Sequence, residues 1–157
     1  MLEEVGAVYF EEPCPFDHLE DTKVVADALT IPVAGGEQEY SDWRFRWMIA
    51  NRGVDIVQPD LHYYGGMIRS VRVARMAALA KMPTTVHISR GFGFIYMLHF
   101  ASCVPDIGRY QEYKLGRETY DWFDPPLKVK DGKMTVPTGP GVGIEDVSGV
   151  LKGAVEV

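Results

Sequence analysis

AVYFEEPCPF, residues 7–16, runs four apolar residues straight into Glu11 and Glu12 and is then stopped by Pro13. The apolar run AVYFE reads as a buried strand with carboxylates at its C-terminal end. Burying such charges is costly unless something neutralises them. Which group meets them is a question the rest of the chain answers.

Working outward, strand-like runs alternate with helix-like ones. Asp17 and Glu20 have the spacing of a capping box opening a helix through Leu29. IPVAGGE (31–37) is the next expected strand, and Ser41 is placed to cap a helix ending near Asn51 and Gly53. DIVQPD (55–60) is a third strand, followed by Gly65-Gly66 and a helix striped by Ile68, Val71, Ala74, Ala78 and Met82. Pro83 breaks that helix. TTVHIS (84–89) reads as a strand, 92–104 as a buried helix, RYQEYKL (109–115) as a fifth strand, and LKVKDGKMTVP as a hairpin around Asp131-Gly132. Such alternation implies βαβ crossovers and a parallel sheet covered on both faces.

Each of the five strands finishes on an ionisable residue: Glu11, Glu37, Asp60, His87 and Glu112. They lie 26, 23, 27 and 25 residues apart, one βα unit per step. In a barrel of such units, residues at the C-terminal strand ends gather around one mouth. Strand alternation groups Ala7, Tyr9 and Glu11 on one face and Val8, Phe10 and Glu12 on the other, which favours Glu11 over Glu12 at the mouth. Two carboxylates on neighbouring strand ends repel unless a cation lies between them, and Mg²⁺ takes oxygen ligands of this kind. Glu11 and Glu37 are therefore candidate metal ligands. Asp60 and His87 suit a dyad in which the carboxylate fixes the imidazole tautomer and the free nitrogen takes a proton. Taken singly, Asp60 also fits a turn cap, His87 a core histidine, and Glu112 an ion pair with Arg109 or Lys114.

The chain has 157 residues, 46% of them apolar and 24% charged, so it is long enough for one domain with a core. Its formal charge of −6 disfavours a nucleic-acid surface. The apolar run 92–104 is too short to cross a bilayer, and the start MLEEVG is acidic where a signal peptide would be basic. Cys14 and Cys103 form neither a metal spacing nor a disulfide framework, so a cytoplasmic setting is expected.

The order EEP, GGE, QPD with a Gly-Gly turn, a strand-end His and a strand-end Glu resembles the enolase superfamily, and within it the mandelate racemase/muconate lactonizing group that includes acid-sugar dehydratases. PTGPGVGIE (137–145) is similar to that family's C-terminal segment, and the likeness covers about residues 5–146. The resemblance implies the C-terminal part of a modified TIM-like (β/α)7β barrel, an α/β fold, over residues 1–119. An irregular extension with a hairpin would follow over 120–157, packing back on the barrel or on a capping domain. It further implies Mg²⁺ held by Glu11 and Glu37, base chemistry by His87 with Asp60, and Glu112 as the last-strand acid. The substrate class implied is a sugar-acid carboxylate that loses its α-proton and then water. Racemisation or epimerisation of a 2-hydroxy acid, or a non-catalytic fragment, are the alternatives. The family's capping domain, Lys-x-Lys base pair and aspartate ligand have no counterpart in these residues. A complete barrel takes about 250 residues, so the isolated chain is expected to turn over little. Association with the missing strands, or a homo-oligomer, is the expected partnership.

His62 and Arg90, in loops after strand ends, are possible substrate contacts, with packing and surface ion pairing as the plainer roles. Trp43 and Trp47 read as packing residues. Gly139, Gly141 and Gly143 do not make a phosphate loop, since no Lys-Ser/Thr pair follows.

Overall fold

Parallel pairing begins at the quoted stretch. In the computed structural model, which describes residues 2–87, 91–113, 123–146, 148 and 155, β1 (Phe10–Glu11) pairs in parallel with β2 (Val33–Gly35), and β2 with β3 (Ile56–Val57). The register sets Glu11 opposite Ala34 and Gly35 opposite Val57. Single parallel bridges, Val57 to Thr84 and Thr84 to Ile107, continue the series. Between them run α1 (Leu19–Ala28), α2 (Asp42–Asn51), α3 (Met67–Leu79) and α4 (Gly93–Cys103). This is a partial TIM-like barrel, with helices returning each strand to the same end.

Two apolar clusters hold it. Leu19, Val33, Phe45, Met48, Ile49, Val54, Val57, Tyr64, Val73, Ala77 and Met82 pack between the first three strands and their helices. Phe94, Ile95, Met97 and Phe100 of α4 anchor the second with Leu61, Ala74, Val86, Val104, Phe123 and Leu127. Helix α3 joins the two, burying Ser70, Val73, Ala74 and Ala77. Its inward face is therefore turned from the expected stripe: Ser70, Val73, Ala74 and Ala77 are buried while Ile68 is 71% exposed.

Helix ends differ in how well the sequence announces them. Ser41 caps α2 as expected, accepting from Trp43 N at 3.2 Å, and Arg52 ends it in the left-handed region at φ 50°. Ser41→Ala should cost about 1 kcal/mol, read as a lower urea midpoint with an unchanged slope. The Asp17–Glu20 capping box does not form. His18 N bonds Pro15 O at 2.9 Å, and this turn makes His18 the N-cap, leaving Asp17 outside the helix.

The fifth strand is also displaced. Pairing falls at Ile107, with Gly108 N donating to Thr84 O at 2.7 Å, and residues 109–113 are not strand; residues 114–115 lie outside the described residues. Gly108 permits the approach, since a Cβ there would meet Thr85 Cγ2 at 2.4 Å. Beyond it the Gln111 amide replaces the ladder, accepting from Val86 N (3.2 Å) and donating to Gly108 O (2.7 Å).

In the tail, β4 (Val129–Lys130) and β5 (Lys133–Met134) form the expected hairpin. Asp131 (φ 52°) and Gly132 (φ 70°) supply the two positive φ values of a type I′ turn. Met134, Val142 and Ile144 pack against the α4 cluster, and His99 Nε2 lies 2.9 Å from Val142 O. The boundary expected at 119/120 falls outside the described residues. Among the described residues no helix is long and apolar enough to cross a membrane.

Candidate functional site

At the end of β1 the two glutamates part company. Glu11 is exposed and continues the strand. Glu12 turns into the left-handed region (φ 44°) while its N–H still bonds Ala34 O at 3.0 Å. Its side chain then lines a small cavity beside Phe16, Leu19, Thr22 and Glu39, and its Oε1 is buried with no hydrogen-bond partner among the described residues.

The end of β2 makes a tighter turn. Gly36 stands at φ 115°, and a Cβ there would press on Phe45 Cε1 at 3.1 Å, so the position demands glycine. The turn aims Glu37 at the sheet's C-terminal rim, where its Oε2 lies 3.4 Å from His87 Nε2. Asp60, at the end of the third strand, is buried and serves two purposes at once. Its Oδ1 accepts from His62 N (2.7 Å) and Tyr63 N (2.8 Å), closing the turn. Its Oδ2 lies 2.7 Å from His87 Nδ1. The turn-cap and dyad roles are shared between its two oxygens, so neither excludes the other.

Charge at this rim is unbalanced. Burial pushes Glu37 above the usual carboxylate range; His87 offsets this in part, while Glu12, Glu11 and Glu112 add to it. Glu12 is raised by burial and by Glu11. The hydrogen bond that His87 donates to Asp60 raises His87 above 6.5, burial opposes it, and the charges of Glu37, Glu112 and Asp60 reinforce it. Asp60 is pushed up by burial, yet its bonds from His87, Tyr63 and His62 hold it below its ordinary value. Tyr9 is raised by burial and by Glu11 and Glu112. Glu11, His87 and Glu112 thus each lie within electrostatic reach of Glu37.

Two of these carboxylates, Glu11 and Glu37, have the hard oxygen donors that Mg²⁺ takes. Burial is the main cause of the raised Glu37 and the neighbouring carboxylates add to it; a cation would relieve that added repulsion, so the donor chemistry suits such an ion. Among the described residues no three His, Cys, Asp or Glu side chains gather into a metal-binding group.

The same crowding has a thermal signature. An acid whose folded pKa is raised folds at no penalty below its unfolded value of 4.5, and at full penalty above the raised value. Glu37→Gln should therefore raise the melting temperature at pH 7, leave it unchanged at pH 4, and weaken binding of divalent ions. Melting curves at the two pH values, with and without Mg²⁺, check this.

Other expected residues are placed as follows. Glu112 is exposed at the rim. The backbone of His62 bonds Asp60 while its side chain faces solvent. Arg90 lies outside the described residues. Trp47 packs against the first cluster, but Trp43 is 75% exposed with Arg46 over its ring at 5.2 Å, so it is a surface residue and not a packing one. Sequence reasoning passed over Glu39 and Arg44, whose side chains meet across a turn and a helix start. Five residues apart, they follow neither strand nor helix periodicity.

Comparison with known proteins agrees with this geometry. Residues 1–146 match the family described as enolase C-terminal domain-like. The chain is 30% identical over 152 residues to arabinonate dehydratase of Saccharolobus solfataricus, covering 96% of itself and 41% of that protein. To D-galactarolactone cycloisomerase of Agrobacterium fabrum it is 31% identical over 150 residues, covering 89% and 40%. Among solved structures, a mandelate racemase/muconate lactonizing enzyme-like protein from Roseovarius sp. TM1035 superposes with a TM-score of 0.85 at 28% identity, over 95% of this chain and 38% of that one. An enolase-superfamily member from Polaromonas sp. JS666 gives 0.83 at 29% identity, over 96% and 41%. The chain spans about two fifths of the length of these relatives. The family match over residues 1–146 and the parallel-stranded α/β fold lead to one conclusion: the chain belongs to the enolase C-terminal domain-like family of the enolase superfamily.

Proposed function

We propose that this chain supplies the base side of a Mg²⁺-dependent site that removes the proton α to the carboxylate of a sugar acid, leading to loss of water. The observation that carries the reading is the Asp60–His87 contact at 2.7 Å on the same rim as Glu37. With Nδ1–H donated to Asp60, Nε2 carries the lone pair that takes the substrate proton. Departure of the hydroxyl on the next carbon needs a proton back, from His87 or from Glu112. Glu11 and Glu37 would hold Mg²⁺, which when bound would stabilise the negative charge building on the substrate carboxylate. Sugar-acid dehydratases among the relatives favour dehydration; named examples act on arabinonate, D-xylonate and D-galactonate.

Racemisation of a 2-hydroxy acid shares the first step, and the racemase-like structural neighbour favours keeping it as the second reading. The two differ in how the carbanion is quenched, which depends on groups on the opposite face. The test is solvent exchange. In D₂O with Mg²⁺, a panel of aldonates and 2-hydroxy acids is followed by proton NMR. The 157-residue chain is assayed alone and mixed with a relative's N-terminal portion carrying the remaining strands. Exchange of the α-proton with formation of a 2-keto acid is expected for the mixture and little or none for the chain alone. Exchange without keto acid favours racemisation. Absence of exchange in every combination leaves an idle, non-catalytic cluster.

A further inference from the structure

Glu39 is two residues past Glu37 and lines the small cavity beside Glu12 and Phe16. Its carboxylate is 1% exposed, and it meets Arg44 through both oxygens: Nε to Oε2 at 2.5 Å and Nη2 to Oε1 at 2.9 Å. The same Nη2 donates to Phe16 O at 2.9 Å. Phe16 belongs to the loop that leaves Glu11, Glu12 and Pro13, so one guanidinium ties the loop after β1 to the turn after β2. Between them, Gln38 Nε2 reaches Glu12 Oε2 at 3.4 Å. Three consecutive side chains thus have three destinations: Glu37 the His87 imidazole, Gln38 the Glu12 carboxylate, and Glu39 the Arg44 fork. The turn is further fixed by Glu39 N donating to Gly36 O at 3.1 Å.

We propose that Glu39 and Arg44 are positioning residues whose buried ion pair sets the separation and aim of Glu11 and Glu37 at the rim. This rests on the reading of Glu11 and Glu37 as ion ligands, and deepens it. A planar guanidinium bonded to both carboxylate oxygens and to a backbone carbonyl fixes direction as well as distance, which lysine cannot do. Two carboxylates that repel one another would otherwise swing apart, since Glu11 is exposed and lies on a two-residue strand. The clamp holds them near each other by gripping the backbone behind them.

The test is Mn²⁺ affinity of the 157-residue chain, read by water-proton relaxation, with thermal melting as the measure of folding. Arg44→Lys, Arg44→Met and Glu39→Gln are compared with Tyr64→Phe, which removes the Tyr64–Asp42 bond elsewhere in the same packed unit. Expected is a tenfold or greater loss of Mn²⁺ affinity in the clamp variants, with cooperative melting kept by Arg44→Lys, while Tyr64→Phe lowers the melting temperature and shifts affinity less than twofold. Wild-type affinity in folded clamp variants overturns the proposal, and so does a loss that merely tracks melting temperature across all four. If the wild-type chain shows no Mn²⁺ response, the ion-ligand reading itself fails. The clamp is then judged by the His87 ring signals in NMR: movement in Arg44→Lys but not in Tyr64→Phe supports a positioning role over the Glu37–His87 contact, and unchanged ring signals overturn it.

Discussion

His87→Asn is expected to cut α-proton exchange by about 10²–10⁴-fold in whichever combination of chains shows it, with Mn²⁺ affinity nearly unchanged. The imidazole is the proton acceptor in this scheme, and asparagine fills the space without offering a basic nitrogen. Asp60→Asn should act through the same ring. Its hydrogen bond is the largest cause of the raised His87 pKa, so removing the charge moves the rising limb of the pH–rate profile to lower pH. It also lowers the plateau, because the tautomer is no longer held. For stability the sign is the reverse. A histidine raised above 6.5 contributes its stabilisation in full below that value and loses it as pH rises through the folded pKa. Asp60, held below 3.8, contributes above that value and loses its share as pH falls through the lowered one. The pair should therefore stabilise most between about pH 4 and 6.5. Exchange rates for His87→Asn equal to wild type would remove the ring from the chemistry.

Phe45→Ala is expected to destabilise the chain by about 3–5 kcal/mol, lowering the melting temperature by roughly 10 °C or more. The ring is fully buried, stands edge-on to Tyr64 at 4.7 Å between centroids, and lies under Gly36. Truncation opens a cavity at the point where the β2 turn is aimed, so loss of Mn²⁺ affinity should accompany loss of stability. Trp43→Ala, two residues away, should change stability by no more than about 0.5 kcal/mol, since that ring is exposed. Urea denaturation of the two variants side by side distinguishes them; equal effects would contradict the burial pattern.

Much of this was legible because strand ends carry their own punctuation. Glu11, Glu37, Asp60 and His87 are spaced by one βα unit; Glu11 is the last residue of β1, and the other three lie two or three residues past the last paired residue of their strands. The Asp131-Gly132 turn and the Ser41 cap were equally readable, each being a local backbone requirement met by the residue types that suit it. Where sequence misled, tertiary contacts overrode local pattern. The fifth pairing falls at Ile107 because Gly108 can approach Thr85 and Gln111 satisfies the next amide with its side chain. Ile68 reads as core by periodicity, but Ser70, Val73, Ala74 and Ala77 form the buried face of α3 instead. Trp43 and Trp47, four residues apart, have opposite fates that composition cannot separate. The Glu39–Arg44 pair was invisible for a simpler reason: it joins a turn to the first turn of α2, and no repeat period describes it.

The central claim is that neighbouring parallel strands bring Glu11 and Glu37 to one divalent ion. Anomalous diffraction at the manganese edge, from crystals of the chain grown with Mn²⁺, tests it most directly. Expected is a single strong peak with an oxygen of each carboxylate at a bonding distance of about 2.1 Å, lost in Glu37→Gln crystals. A peak on other carboxylates, or none while the two side chains point apart into solvent, would contradict it.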